Sequence, residues 1–347
     1  MTYVLASAAR ATVGARAGQE DAFSIWPGDG QVKPVGTAGL LTVLADGMGG
    51  HRGGAVAGQT ACITFTETFA HSDMPVDQRL AAALQSSNQA IADEVQRNAS
   101  LKGMGCTLIG AWFDDTGMRW TSVGDSLLLL YRYPDVVRLN EDHSLGSYLD
   151  EQARRNEISF EEARSNRHRN ALRSAVTGAK IDLVDLRGEA MPLMAGDWVL
   201  LASDGIASLD GDELADIMYR YRDSTPDKMA QALISAVEAK HVPEQDNTTV
   251  VAIRVEGASE TSKTRAVTPG QDHELKTRRI GVVSGRKVGG AQAKAPTPQR
   301  STLETLLTRG PTAFLLAALG AFVLAGAIYV WKASKNIGAP SGETKTI

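Results

Sequence analysis

Cysteine is nearly absent: Cys62 and Cys106 are the only two in 347 residues, each inside an apolar segment. That is too few for a disulfide scaffold and points to two reduced core thiols in a reducing compartment. Met1 to Arg10 lacks the basic start and long apolar core of a secretory signal, so these residues are expected to belong to the fold. No histidine or cysteine pair stands at the spacing of a zinc site. Positive charge is scarce in the body of the chain. Residues 1–256 hold 23 Lys and Arg against 35 Asp and Glu, a formal −12, whereas residues 257–347 hold 13 against 5, a formal +8. An acidic body argues against nucleic acid as the main ligand and suits bound cations.

What is present is organised around Leu41-Thr42-Val43-Leu44-Ala45-Asp46-Gly47-Met48-Gly49-Gly50, an apolar run that stops at one carboxylate and enters a glycine-rich turn. The pattern predicts a buried strand delivering Asp46 to a surface, with glycines that let backbone carbonyls approach a ligand. Short strands are expected over 2–8 and 22–26, with a polar loop between them, and a longer one over 38–45. Helical spacing follows over 54–70 and 77–98, with Pro75 between. Strand-like runs at 105–113, 118–123, 127–133 and 136–139, separated by short turns, predict an antiparallel meander. Residues 140–180 turn polar and charged, with a helix expected over 147–164. Strands resume over 182–187 and 197–203, helices over 211–221 and 226–240, and a last strand over 248–255.

From about residue 257 the composition shifts to Ser, Thr, Gly, Pro, Lys and Arg, which predicts a basic disordered linker over 257–310. Pro311 to Trp331 is then 21 residues without a charge. At about 1.5 Å per residue such a helix rises roughly 30 Å, the thickness of a bilayer core. Tyr329 and Trp331 stand at one end, as interfacial anchors do. A transmembrane helix over 311–331 and a short polar tail over 332–347 are therefore expected. Ten Lys and Arg against three Asp and Glu in 263–309 predict a single-pass protein of the cytoplasmic (inner) membrane with its large domain, 1–256, on the cytoplasmic side.

Carboxylates recur at strand ends: Asp46-Gly47 after one strand, Asp204-Gly205 after another, Asp246-Asn247 before a third, Glu20-Asp21 before a fourth, and Gly124-Asp125-Ser126 between two more. If these ends share a rim, several carboxylates converge. Two like charges 4 Å apart repel by about 4 kcal/mol at an effective dielectric near 20, so such a cluster calls for cations. Hard oxygen ligands favour Mg²⁺ or Mn²⁺ over Zn²⁺. Two such ions sharing a carboxylate and a water would make a nucleophilic hydroxide near neutral pH, suited to in-line displacement at phosphorus. Arg16 could hold phosphate oxygens through its guanidinium fork.

Together, Arg16-x-x-x-Glu20-Asp21, Asp46-Gly47-Met48-Gly49-Gly50-His51, Gly105-Cys106-Thr107, Val123-Gly124-Asp125-Ser126, Asp142-His143-Ser144, Ser203-Asp204-Gly205 and Asp246-Asn247-Thr248-Thr249 resemble the ordered motifs of the type 2C metal-dependent serine/threonine protein phosphatases. The resemblance spans about residues 5–255. It implies an α+β fold, a four-layer αββα sandwich of two antiparallel sheets flanked by helices, to which the C-terminal transmembrane helix is added. It also implies two Mn²⁺ or Mg²⁺ ions at one end of the sandwich. Asp46 would bridge them, with the Gly47 carbonyl on one and Asp204 and Asp246 on the other. Glu20 and Asp21 would act through water or support the ligands from behind, and Asp125 would help Asp204 hold a third, weaker ion.

The implied activity is hydrolysis of phosphoserine and phosphothreonine on proteins, opposing a Ser/Thr kinase, with residues 140–180 as the flap beside the site. Two departures stand out. Leu127 follows Ser126 where the family usually has arginine, and Met48 replaces a histidine that many relatives carry as a proposed general acid. They leave a second reading, a catalytically weak pseudophosphatase serving as a membrane-anchored binding module. Thr107 reads as packing, Asp142 as a turn or cap, His51 as structural, His143, His168 and His241 as surface residues, and Trp112, Trp120 and Trp198 as core.

Overall fold

The computed structural model describes residues 2–27, 33–34, 39–49 and 53–259. His51, the expected span and tail, and all but the first three residues of the expected linker lie outside them. Among the described residues no helix is long and apolar enough to cross a membrane.

Thirteen strands and six helices follow one another among the described residues. One sheet has the order β10 (Asp135–Arg138), β9 (Leu127–Arg132), β12 (Trp198–Ala202), β13 (Thr248–Ser259), β1 (Thr2–Thr12), β3 (Lys33–Pro34). The other runs β11 (Asp185–Met191), β8 (Gly117–Val123), β7 (Leu108–Asp114), β4 (Leu40–Ala45), β2 (Ala22–Trp26). Every pairing is antiparallel. A two-residue ladder joins β5 (Gly47–Met48) to β6 (Gly105–Cys106).

The continuous apolar runs are explained by burial on both faces. In β4, Leu40 and Leu44 pack with Leu128, Leu130, Val199, Leu201, Val251 and Ile253 in the layer between the sheets. Leu41, Val43 and Ala45 alternate to the opposite face, against Ala57, Ala61 and Phe65 of α1 (Gly53–Ala70) and Leu80 and Leu84 of α2 (Val76–Arg97). In the first sheet, Trp198, Leu200 and Ala202 face α5 (Gly211–Tyr221) and α6 (Pro226–Ala239) through Leu214, Met218, Leu233 and Val237. Three apolar layers thus separate helices, sheet, sheet and helices. Each fully buried leucine stabilises this arrangement by roughly 1.5–3 kcal/mol.

Several local expectations shift. The first strand reaches Thr12 because β13 pairs with it along its length. The run 105–113 breaks at Thr107, and the expected meander divides: β7 and β8 form a hairpin in one sheet, β9 and β10 in the other. The chain changes sheets at Gly124-Asp125-Ser126. The expected 147–164 helix is two, α3 (Leu145–Arg154) and α4 (Phe160–Ser165), because Asn156 adopts a positive φ of 59° and Ser159 starts α4 with a capping box to Glu162. The strand expected at 182–187 forms as β11, shifted later in the chain, since its partner is β8.

Candidate metal centre

Register puts the carboxylates on one rim. Ala45 pairs with Ala22, so Asp46 and Asp21 leave adjacent strand ends; Ala202 pairs with both Leu127 and Val250, which brings the approaches to Asp204, Asp125 and Asp246 together. The expectation that these strand ends share a rim holds.

Asp46 is fixed through its backbone. Its N–H donates to Thr107 Oγ1 at 3.1 Å, its carbonyl accepts from Thr107 N at 2.9 Å, and Thr107 Oγ1 also shares a 2.7 Å hydrogen bond with Ser126 Oγ. Thr107 is therefore a positioning residue as well as a packing one. Burial, and then the charges of Asp21, Asp204, Asp125 and Asp246, push the Asp46 carboxyl well above the usual range. Asp204, at the start of a 3₁₀ turn after β12, is also raised, chiefly by burial and by Asp246; a hydrogen bond from Asp46 and the charge of Arg16 offset this in part.

Asp21 is raised to about 6, first by burial, against the hydroxyls of Thr249 and Ser203. Ser203 Oγ donates to its Oδ2 at 2.8 Å, while its buried Oδ1 has no hydrogen-bond partner. A buried carboxylate oxygen without a donor is expensive unless a proton or a cation meets it. Asp125 is raised to about 7 by burial, Asp204 and Asp142, with Arg138 pulling the other way.

Arg16 meets Asp246 at 2.5 Å instead of standing free. Its loop is tied to the same segment, Ala15 N donating to the Gln245 carbonyl at 2.8 Å. The Glu20 backbone N–H donates to Asn247 Oδ1 at 2.7 Å, and Asn247 Nδ2 returns to the carbonyls of Val13 and Gly18. Its carboxylate lies over Gly54 in the first turn of α1, where an added Cβ would stand 1.8 Å from Oε2. Gly47 is equally confined: a Cβ there would lie 2.2 Å from the Gly54 carbonyl oxygen and 2.4 Å from that of Glu20. Only glycine lets β5, α1 and the Glu20 loop meet this closely.

Among the described residues, no three of these side chains form a ready coordination group. Asp46 lies close enough to Asp204 to hydrogen-bond it when one of the two carries a proton, and Arg16 pairs with Asp246. An all-oxygen donor set, raised carboxyls and the orphan Asp21 Oδ1 fit a hard divalent cation at this rim.

Three residues escaped the sequence reading. Arg138 on β10 donates to the carbonyls of Asp125 (2.7 Å) and Ser126 (3.1 Å), to Asn140 Oδ1 (3.2 Å) and to Asp142 Oδ2 (2.9 Å). A guanidinium thus braces the Asp125 loop although Leu127 does not supply it. Leu127 instead pairs with Ala202 and packs beside the α5–α6 core. Asn140, buried, accepts from Leu128 N and donates to the Ser126 carbonyl, a role no local pattern signals. His143 is corrected from surface to core: it is 2% exposed, its Nδ1 accepts from Gly124 N at 3.2 Å, and its own N–H donates to the Gly124 carbonyl. The polar neighbours that suggested exposure belong to a turn, in which Asp142 Oδ1 accepts from Ser144 N as a turn residue does. His168 and His241 are exposed, the three tryptophans are buried, and both cysteines are buried and free.

A model of the protein phosphatase 2C family matches residues 14–245. The chain is 34% identical over 217 residues to the serine/threonine protein phosphatase PstP of Mycobacterium tuberculosis, a match covering 61% of this chain and 38% of that protein's length. It is 30% identical over 183 residues to protein phosphatase PhpP of Streptococcus pneumoniae, covering 51% of this chain and 72% of the relative. A crystal structure of the PstP catalytic domain in complex with two manganese ions superposes with a TM-score of 0.59 at 30% identity, over 74% of this chain and all of that one. With the family model matching well over half its length, this chain belongs to the protein phosphatase 2C family.

Proposed function

We propose that the chain is a metal-dependent protein phosphatase that removes phosphate from phosphoserine and phosphothreonine on proteins, held at the cytoplasmic membrane by residues 311–331 and opposing a Ser/Thr kinase. The observation that carries the catalytic part is the convergence of Asp21, Asp46, Asp125, Asp204 and Asp246 on one half-buried rim, where burial first and then the neighbouring carboxylates push the Asp46 carboxyl well above its usual range, the environment that a cation would relieve. Asp46, Asp204, Asp246 and the Gly47 carbonyl would hold two Mn²⁺ or Mg²⁺ ions, with Glu20 and Asp21 contributing through water and Asp125 reaching a third. Those ions supply Lewis acidity toward phosphoryl oxygen and lower the pKa of water toward neutrality. The manganese-bound PstP domain supports this choice of cofactor.

In this reading Arg16 exchanges Asp246 for the substrate phosphate, the bidentate geometry a guanidinium favours. Met48 offers no proton, so the leaving alkoxide is protonated by another group. The alternative of a binding module without turnover draws no support from Leu127, whose packing accounts for it.

The full chain should hydrolyse a phosphothreonine peptide with Mn²⁺ and lose the activity in EDTA. Asp46→Asn and Asp204→Asn should each lower kcat by on the order of 100-fold or more, the scale on which loss of a transition-state charge partner is felt. Unchanged rates in both variants would show the site to be elsewhere.

A further inference from the structure

The segment 163–180 is out of character with the acidic body: it holds five Lys and Arg and no Asp or Glu. The structure shows what most of the body's arginines do and what these do not. Among the exposed arginines of the described residues, Arg10, Arg16, Arg97, Arg154, Arg155 and Arg220 each reach a carboxylate. Arg164, Arg167 and Arg173 are exposed and make no ion pair among the described residues; Arg173 lies over the half-exposed Tyr148 ring, 4.3 Å from its centroid. The neighbouring Arg169 is spent on Asp150 and holds the segment's shape, with its own carbonyl accepting from Gly146 N.

This strip is built onto the metal rim. Val176 exchanges both backbone hydrogen bonds with Cys106, at 2.9 and 3.0 Å, and Cys106 pairs with Gly47. Arg173 N donates to the carbonyl of His143, which in turn is bonded to Gly124 beside Asp125. Arg173 is three residues from Val176, and an extended chain covers about 3.3–3.6 Å per residue. A peptide bound with its phosphorylated residue at the rim therefore reaches Arg173 with a side chain a few positions away, and Arg167 and Arg164 lie further along the same segment.

We propose that Arg164, Arg167 and Arg173 select phosphoprotein segments carrying acidic or further phosphorylated residues near the scissile phosphate. The proposal rests on the phosphatase reading and adds the substrate class. The acidic body repels such segments, and three exposed guanidiniums without an ion-pair partner among the described residues, on a segment joined to the site at Arg173 and Val176, overcome that repulsion locally. Carboxylates and phosphates are the groups whose geometry the guanidinium fork matches.

The test compares kcat/KM of the full chain with Mn²⁺ on two phosphothreonine peptides, one flanked by glutamates and one by glutamines, with nitrophenyl phosphate as a third substrate. Wild type should prefer the acidic peptide by about tenfold at low ionic strength, through KM, and the preference should shrink as salt rises. Arg164→Gln/Arg167→Gln/Arg173→Gln should bring the ratio near one. Equal kcat/KM on the two peptides, or a preference that survives the triple variant, overturns the proposal while turnover itself upholds the phosphatase reading. No turnover on any substrate removes both. A triple variant that keeps the peptide preference but no longer sediments with anionic phosphatidylserine vesicles would assign the strip to lipid and overturn it as well.

Discussion

If burial and neighbouring carboxylates raise the rim carboxyls, metal-free protein should become less stable as pH rises from about 4 to 7. Asp125 titrates near 7 and Asp21 near 6 in the folded state, against 3.8 for each as a free group. The fold therefore prefers their protonated forms. Below pH 3.8 folded and unfolded states bind the proton alike; above it the unfolded chain releases the proton while the folded one keeps it. Stability falls until the folded groups also ionise, and levels off beyond about pH 7. One unit corresponds to about 1.4 kcal/mol, so Asp125 and Asp21 each account for roughly 3–4 kcal/mol at most, less than additively because they share neighbours. A net loss of about 3 kcal/mol is a large part of a domain's usual 5–15 kcal/mol and lowers Tm by on the order of 10 °C.

The buried His143 acts in the opposite sense, because its lowered pKa makes stability rise with pH through about 6.5. The difference between wild type and Asp125→Asn isolates the carboxylate. The assay is thermal or urea denaturation in EDTA at pH 5, 6, 7 and 8, repeated with Mn²⁺. In EDTA the wild-type curve should fall with pH more steeply than that of Asp125→Asn. With Mn²⁺ at 100 times its Kd the protein gains about 2.7 kcal/mol. The metal competes with protons, so its stabilisation should grow with pH. Parallel curves for wild type and variant in EDTA would refute the reasoning.

Other outcomes follow from single contacts. Thr107→Val keeps the packing but deprives Asp46 N–H and Ser126 Oγ of their partner, and should lower stability by about 1–3 kcal/mol in urea denaturation and weaken Mn²⁺ binding by calorimetry. Arg138→Ala removes the donor to the Asp125 carbonyl and the ion pair to Asp142, while the Ser126 carbonyl keeps Asn140, with an expected loss of about 2–4 kcal/mol. Arg138→Lys should restore only part of it, because an ammonium cannot fork to four acceptors. Ending the chain before Pro311 should move the protein from the membrane to the soluble fraction of fractionated cells, without changing kcat on a small phosphoester.

The candidate site was largely legible in the sequence because its carboxylates interrupt apolar runs at strand ends, a signal local to each motif. Asp46-Gly47, Asp204-Gly205 and Asp246-Asn247 announce themselves in this way. Arg138, Asn140 and His143 do not, since each acts on the Asp125 loop from another strand or turn. Leu127 misleads for the same reason: a departure in one motif is made good from β10, which only strand pairing brings alongside. The 140–180 segment was placed as an excursion but its helix was drawn through Asn156, because polar helical spacing does not reveal a chain reversal.

The sequence by itself determined which residues alternate between two buried faces, where strands stop at carboxylates, and how charge divides between an acidic body and a basic tail. Those properties are read from neighbours along the chain. Tertiary structure alone decided that the expected meander splits between two sheets, that Thr107 holds Asp46 by its backbone, and that Arg164, Arg167 and Arg173 find no carboxylate partner among the described residues. Such outcomes depend on which strand ends meet in space, and pairing across long separations in sequence is set by the packing of whole layers.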